Sequence, residues 1–301
     1  MPARSRPTQP DPVPAWSRQR MLLLLVAAVV AVLVLLSGLV VAVVDVIRPP
    51  QHRDAARHPS SAIARSGAVA SDASKTVTDP RDALAARPMP SVPDDAAHPG
   101  PVSTATPGPA IALPPPTRTG PAGVATGFPH TPAGALAQLA AIDQSALQSG
   151  SLADARAVIT GWAQPGGPTA TSWSLIAGLV TLFDETGLSG GGSPQLAIVL
   201  TPVMGLIKGA VGTDYVVACV DFELDITLTQ TARGAVADCQ RMVWTPTPTP
   251  TPTATTTTTV PGAARWMIGP GAEPTTPPSV WPDTDTAIAV GYHDLRTEPA
   301  R

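Results

Sequence analysis

The chain has 301 residues, a formal net charge of −3, 37 prolines and only 4% aromatic residues. Near-neutral bulk charge excludes the strongly basic signature of a nucleic-acid-binding protein. The proline-rich, aromatic-poor mixture excludes one large globule. Lys occurs only at Lys75 and Lys208, and Asn is absent, a bias expected of a GC-rich bacterial genome that also removes every N-glycosylation sequon.

A short tail of residues 1–20 precedes the strongest signal in the chain. From Met21 to Val44 no residue is charged, and Leu, Val and Ala fill almost every place. About 20 apolar residues cross a bilayer core of about 30 Å, so the pattern predicts a transmembrane helix over 21–47. A cleaved signal peptide has a shorter apolar core, about 7–15 residues, and no small-x-small cleavage site follows this run. Arg4, Arg6, Arg18 and Arg20 precede it, and Arg48, Arg53, Arg57 and Arg65 follow it. The positive-inside count is therefore close to a tie. An outward C-terminus is expected on other grounds: the N-terminal tail holds no domain, and two Cys farther on read as a disulfide, which persists outside the cytosol.

Residues 48–126 read as a disordered Pro/Ala-rich stalk, because apolar periodicity is absent and such a segment buries too little surface to offset its ordering entropy. Order is expected from 127 to 301, as an α+β domain of helices, then a mostly antiparallel sheet, then a terminal helix. Thr131 is a good N-cap with Pro132 at the first helical position, and Leu136, Leu139, Ala140 and Leu147 share one face. A second helix starts at Ser151, with Asp154 three residues on and Ala155, Val158, Ile159 and Trp162 inward. A third spans 172–186, with Trp173, Ile176, Val180 and Phe183 inward and Gly187 as its C-terminal stop.

After Gly190-Gly191-Gly192 the period changes. Residues 196–200 read as a buried strand, and 204–211 is ambiguous. From Val216 to Leu228 apolar residues alternate strictly with Cys219, Asp221, Glu223, Asp225 and Thr227, which predicts a half-buried strand with those five on the wet face. A second strand covers 234–245. A hairpin centred on Thr229 sets Cys219 opposite Cys239 and Asp225 opposite Arg233, so one register explains two pairs. The Cys219–Cys239 bridge is the structural site predicted here, with two free thiols as the alternative.

The Thr-Pro repeat and Thr run at 245–262 are low-complexity, polyproline II-like sequence. Strand-like sequence on both sides, ending in Trp244 and resuming at Arg265-Trp266-Met267-Ile268, makes the repeat an overgrown hairpin loop. A last helix, capped by Asp283 or Asp285, is expected to align Ile288, Tyr292 and Leu295.

Chemistry is sparse. Gly187-Leu188-Ser189-Gly190-Gly191 matches G-x-S-x-G, but it follows a helix and precedes a strand, the reverse of a nucleophile elbow. The row Asp221, Glu223, Asp225 has the ligand type for a hard cation, although alternating charge on a wet sheet face is commoner. His130 beside a helix cap and His293 on a helix face have no zinc-like partners. No P-loop or dinucleotide fingerprint is present. No catalytic, cofactor-binding or metal site is predicted, and no cofactor is expected.

Three segments carry a resemblance: Gly127-Phe128-Pro129-His130-Thr131-Pro132-Ala133-Gly134-Ala135, Cys239-Gln240-Arg241-Met242-Val243-Trp244 and Arg265-Trp266-Met267-Ile268-Gly269-Pro270-Gly271. They resemble uncharacterised actinobacterial single-pass membrane proteins of integrative and conjugative elements. The order of helices, long strands and a Trp-containing hairpin more weakly resembles the bitopic scaffold subunits of type IV secretion channels, which implies a nuclear-transport-factor-like outer domain. The expectation is a non-enzymatic, membrane-anchored component of a conjugative DNA-transfer or secretion apparatus, with its C-terminal domain outside the cell membrane. Its expected partners are the lipid bilayer and other membrane or transfer-apparatus proteins. Homo-oligomers are compatible with this, and direct nucleic-acid contact is not expected. The alternative is an extracytoplasmic ligand-binding or sensory module.

Overall fold

The computed structural model describes residues 79–188, 192–246 and 263–299. The apolar segment 21–47, the stalk up to 78, Ser189 and residues 247–262 of the Thr-Pro loop lie outside the described residues. No helix among the described residues is long and apolar enough to cross a membrane.

The expected helix starts hold. Helix α2 (Pro132–Leu147) opens where the Thr131 side chain accepts from the Gly134 backbone N–H at 3.1 Å, and α3 (Leu152–Trp162) where Ser151 accepts from the Asp154 N–H. Helix α4 (Ser174–Thr186) stops at Gly187, whose φ of 66° is a left-handed conformation that glycine adopts without a Cβ penalty.

Three long strands follow, β4 (Ala197–Ala210), β5 (Tyr215–Thr227) and β6 (Thr231–Thr245). The ambiguous stretch 204–211 is the second half of β4, which runs through with irregularities at Pro202/Met204 and Ile207/Gly209. Irregularities of this kind bend a strand and raise its twist, and the sheet is curled. The β5–β6 hairpin has the expected register: Cys219 faces Cys239, Asp225 faces Arg233, and Thr227 faces Thr231. Strand β7 (Arg265–Ile268) pairs antiparallel with the end of β6, Trp244 beside Trp266, so the Thr-Pro segment joins two neighbouring strands.

Helices α2, α3 and α4 cover one face of this sheet. Leu136, Leu139, Ile142, Ile159, Trp162, Phe183, Val220, Phe222 and Trp266 form the main core there. The fold is therefore α+β, with the helix layer before the three long strands in sequence.

Three expectations are corrected. Residues 79–126 are not stalk: they belong to the folded unit. Helix α1 (Pro80–Ala85), strand β1 (Ile111–Leu113) and the small hairpin of β2 (Arg118–Thr119) and β3 (Ala125–Thr126) all lie in this stretch. Its backbone is held from outside. Lys208 Nζ donates to the Ala85 carbonyl at 2.9 Å, Tyr215 Oη donates to the Arg81 carbonyl, and Arg241 pairs with Asp82 at 2.6 Å. No internal periodicity reports such docking, which is why composition alone misreads it.

Next, the terminal helix is short. Helix α5 (Asp285–Val290) is capped by Thr284 rather than by either Asp, and Gly291 at φ 97° ends it. The chain then becomes strand β8 (His293–Thr297), parallel to β1 and antiparallel to β4, so His293 and Leu295 are strand residues. The sheet order is β1-β8-β4-β5-β6-β7. Finally, the face expected to be wet is wet only at one end. Cys219 and Asp221 are 0% exposed, because α1 and the chain from 272 to 292 pack across them.

Candidate functional site

The Cys219–Cys239 disulfide is formed, with the two Cα atoms 4.1 Å apart across directly paired strands. It is a staple within the sheet and offers no open chemistry, since both residues are fully buried. The acidic row beside it is divided. Glu223 and Asp225 are half-buried and both pair with Arg233, whereas Asp221 is enclosed with neither carboxyl oxygen partnered. Burial pushes the Asp221 carboxyl well above the ordinary range, and the Val280 backbone N–H opposes this from outside hydrogen-bond geometry. No group of three or more His, Cys, Asp or Glu among the described residues is placed to hold a metal ion.

His130 is not an isolated surface residue. Its ring stacks on Trp244 with centroids 4.3 Å apart and planes 9° from parallel, and Trp266 meets both rings edge-on at 5.4 Å. His130 Nε2 lies 2.8 Å from Asp214 Oδ1, in the turn between β4 and β5. Trp266 Nε1 donates to the Pro129 carbonyl at 2.9 Å, and Gly269 N–H donates to the Arg241 carbonyl. These bonds draw three separated stretches of sequence into one corner, and its outer members are open: the His130 side chain is 34% exposed and that of Asp214 59%. His293 lies on β8 with Nδ1 buried and unpartnered.

A second group of polar residues lies between α2–α4 and the sheet. Asp143 is on the inward face of α2, and Asp238 and Gln240 point the same way as Val236 and Met242 on β6. Gln240 Nε2 donates to both oxygens of Asp238 at 3.2 and 3.1 Å. Glu273 Oε1 accepts from the Ser174 N–H at the start of α4. Asp143 is 0% exposed and neither of its oxygens has a partner. Burial pushes its carboxyl well above the ordinary range, and the charges of Asp238 and Glu273 push it further. Burial raises Asp238 to about 7, with Glu273 adding and Gln240 opposing. Burial also raises Glu273.

Between α2, α4 and the sheet is a narrow apolar cleft of about 30 Å³, whose lining includes Leu147, Leu175, Leu179, Leu182, Leu224 and Val236 and none of these acids. Leu147 is four residues beyond Asp143 on α2, and Val236 two before Asp238 on β6, so the cleft wall and the acids share faces of both elements.

Sequence reasoning singled out neither Asp143, Asp238 nor Glu273. A signal was present for two of them. Asp143 continues the Leu136–Ala140–Leu147 stripe, and Asp238 opposes the inward Val220 in the register derived from the two Cys. Glu273 lies in an extended segment without a pattern. The nucleophile-like Ser189 lies outside the described residues. No family model, no curated protein and no solved structure matches this chain.

Proposed function

We propose that this protein is a non-enzymatic, membrane-anchored component of a conjugative transfer or secretion apparatus, working outside the cell membrane through protein contacts of its α+β domain. The observation that carries the reading is convergence. The segments around His130, Trp244 and Trp266, which carry the resemblance to proteins of integrative and conjugative elements, lie far apart in sequence. They meet in one partly exposed aromatic corner. Aromatic residues with a polar handle are the kind of side chain that anchors protein interfaces. The charge-free run from Met21 to Val44 supports the anchor, and the buried disulfide supports an oxidising side for the domain.

The test uses the tagged full chain in cells carrying the element. Mild solubilisation and capture are expected to bring down a transfer ATPase or channel subunit, and Asp214→Arg, which reverses the charge beside His130, is expected to lose it. Capture of no transfer component by the unaltered chain sinks the reading. Orientation is tested separately: protease added to intact cells should remove a C-terminal tag, and survival of that tag places the domain inside.

The second reading is an extracytoplasmic ligand-binding or sensory module, for which the narrow apolar cleft lined by Leu179 and Val236 is the candidate site. Saturation-transfer experiments with small alkyl compounds on the full chain separate this from a closed, purely structural core.

A further inference from the structure

Helix α1 occupies a seat that the long strands supply. Leu84 packs over Gly209 of β4, where an added Cβ would come 2.7 Å from Leu84 Cδ1, so the glycine opens a notch for that side chain. Ala85, Tyr215 and Val217 form a small apolar cluster there, with Val211 and Val243 packed against it. Three polar side chains of the strands meet the rest of the helix. Arg241 on β6 pairs with Asp82 at 2.6 Å, Tyr215 Oη on β5 donates to the Arg81 carbonyl at 3.2 Å, and Lys208 Nζ on β4 donates to the Ala85 carbonyl at 2.9 Å. Ala85 is the last residue of α1. Lys208 therefore meets the helix end whose carbonyls lack internal partners and where a cation is favoured.

Seat and occupant are unequal. Tyr215, Val217, Lys208 and Arg241 are all buried and stand on long, paired strands. In α1 only Ala85 is buried, and Arg81, Asp82 and Ala83 are exposed. Six residues are too few for a helix to persist alone in water. A segment with so few buried apolar contacts belongs to the low end of local stability. Lifting it opens a surface with a notch, a phenol and two cations, and Arg241 then loses the one carboxylate it pairs with among the described residues.

We propose that α1 is an autoinhibitory plug, and that its seat receives a short helical segment of a partner protein that carries a carboxylate for Arg241, a leucine-like side chain for the Gly209 notch and a terminal carbonyl for Lys208. This rests on the protein-contact reading of the domain and gives it a second surface, on the sheet face opposite helices α2–α4. An acidic segment fits better than a basic one because like charges facing Arg241 and Lys208 across a largely dry contact are costly. The partner gains the seat by displacing α1, so binding is coupled to release of the chain that precedes the domain.

Lys75 and Lys208 are the only lysines in the chain. Amine labelling of the full chain in lipid nanodiscs, read by mass spectrometry, therefore reports the seat directly, with Lys75 as the internal reference. Leu84→Asp empties the notch, and Asp82→Arg reverses a side chain that is 58% exposed and so spares the fold. Each is expected to raise Lys208 labelling at least about tenfold with the cooperative thermal transition retained. A peptide of residues 79–87, added in excess, is expected to restore protection in both variants. It is expected to bind them at least about tenfold more tightly than the unaltered chain, whose own α1 competes. The same peptide carrying Asp82→Arg is expected to restore none. Unchanged Lys208 labelling in both variants overturns the plug. Failure of the peptide to protect Lys208, or equal binding to altered and unaltered chains, overturns the seat as a docking surface. Neither result bears on capture of a transfer component through the His130 corner, so failure here is distinguishable from failure of the protein-contact reading.

Discussion

The two faces of the β4–β5–β6 sheet are both buried over much of their length, but by different means. On one face three regular helices lay apolar stripes on Val220, Phe222 and their neighbours. On the other, chain from 79 to 110 and from 272 to 292, with only short helices, covers Val217, Cys219 and Asp221 through individual polar ties and a few small apolar contacts. The helix-covered face announces itself through periodicity, and its anomaly is a set of acids without counter-charge. The other face hides in low-periodicity sequence, and its buried lysine, Lys208, is held by the carbonyls of Ala85 and Thr275 and not by a carboxylate. A region can thus be ordered by tertiary hydrogen bonds where its own composition argues for disorder.

The contrast is broken most severely at the disulfide. Cys219→Ala is expected to cost about 2–4 kcal/mol, and the Cys219→Ala/Cys239→Ala pair little more, because the same single bond is lost. Urea unfolding of the full chain in nanodiscs measures this. Two reactive thiols on denatured, unreduced protein would remove the bridge and the main support for an outward domain.

A pH scan sharpens the electrostatic difference. Asp238 has a folded-state pKa raised to about 7 from an ordinary value of 3.8. Its contribution is fully present below pH 3.8 and is lost as pH rises through about 7, the reverse of a salt-bridged carboxylate. Stability is expected to fall by about 2 kcal/mol or more across that interval, and Asp238→Asn to flatten part of the slope. Lys208, lowered by burial to about 8 from 10.5 with Arg87 adding, acts with the other sign: the folded state releases the proton first, so stability rises as pH climbs between those values. Lys208→Met is expected to remove that alkaline rise. A slope unchanged in both variants would show that neither group is buried as described.

The tie between the irregular layer and the sheet depends on Arg241, which pairs with Asp82 and donates to the Ala272 carbonyl at 2.7 Å. Its side chain is 9% exposed but that of Asp82 is 58% exposed and returns readily to water. Arg241→Ala is therefore expected to cost only about 1–2 kcal/mol. Faster proteolysis within 79–110 should accompany it, with helices α2–α4 protected. Equal cleavage in both proteins would show that α1 is secured elsewhere.

The smallest effect is expected at the Thr-Pro loop. Replacing 246–262 with a four-residue Gly-Ser turn should stabilise the β6–β7 pair by about 1 kcal/mol through shorter loop closure. Loss of the cooperative transition would mean that the repeat supports the fold.

Much of this was legible in advance because local rules were sufficient. Thr131, Ser151 and Gly187 act within one turn of their own helices, and strict alternation after Val216 sets the hairpin register that joins Cys219 to Cys239. Ile288, Tyr292 and Leu295 have the spacing of a longer terminal helix, yet Gly291 turns the chain into β8 before the stripe is complete. The acid group was missed in a different way. Asp143 lies on an apolar stripe, and only the packing of α2 onto β6 tells a buried carboxyl from one at the margin of the helix.

By itself the sequence determined the elements whose stabilising partners are near in the chain: caps, hairpin register, the disulfide pairing and the charge-free run at 21–44. The tertiary structure alone decided what covers the second face, that residues 79–126 belong to the domain, and that Asp143, Asp238 and Glu273 share an interior. The physical reason is range. Capping and pairing rules act over a few residues or across one turn, whereas Lys208 reaches Ala85 across 123 residues and Arg241 reaches Asp82 across 159. Contacts at that separation leave no periodic trace in the sequence.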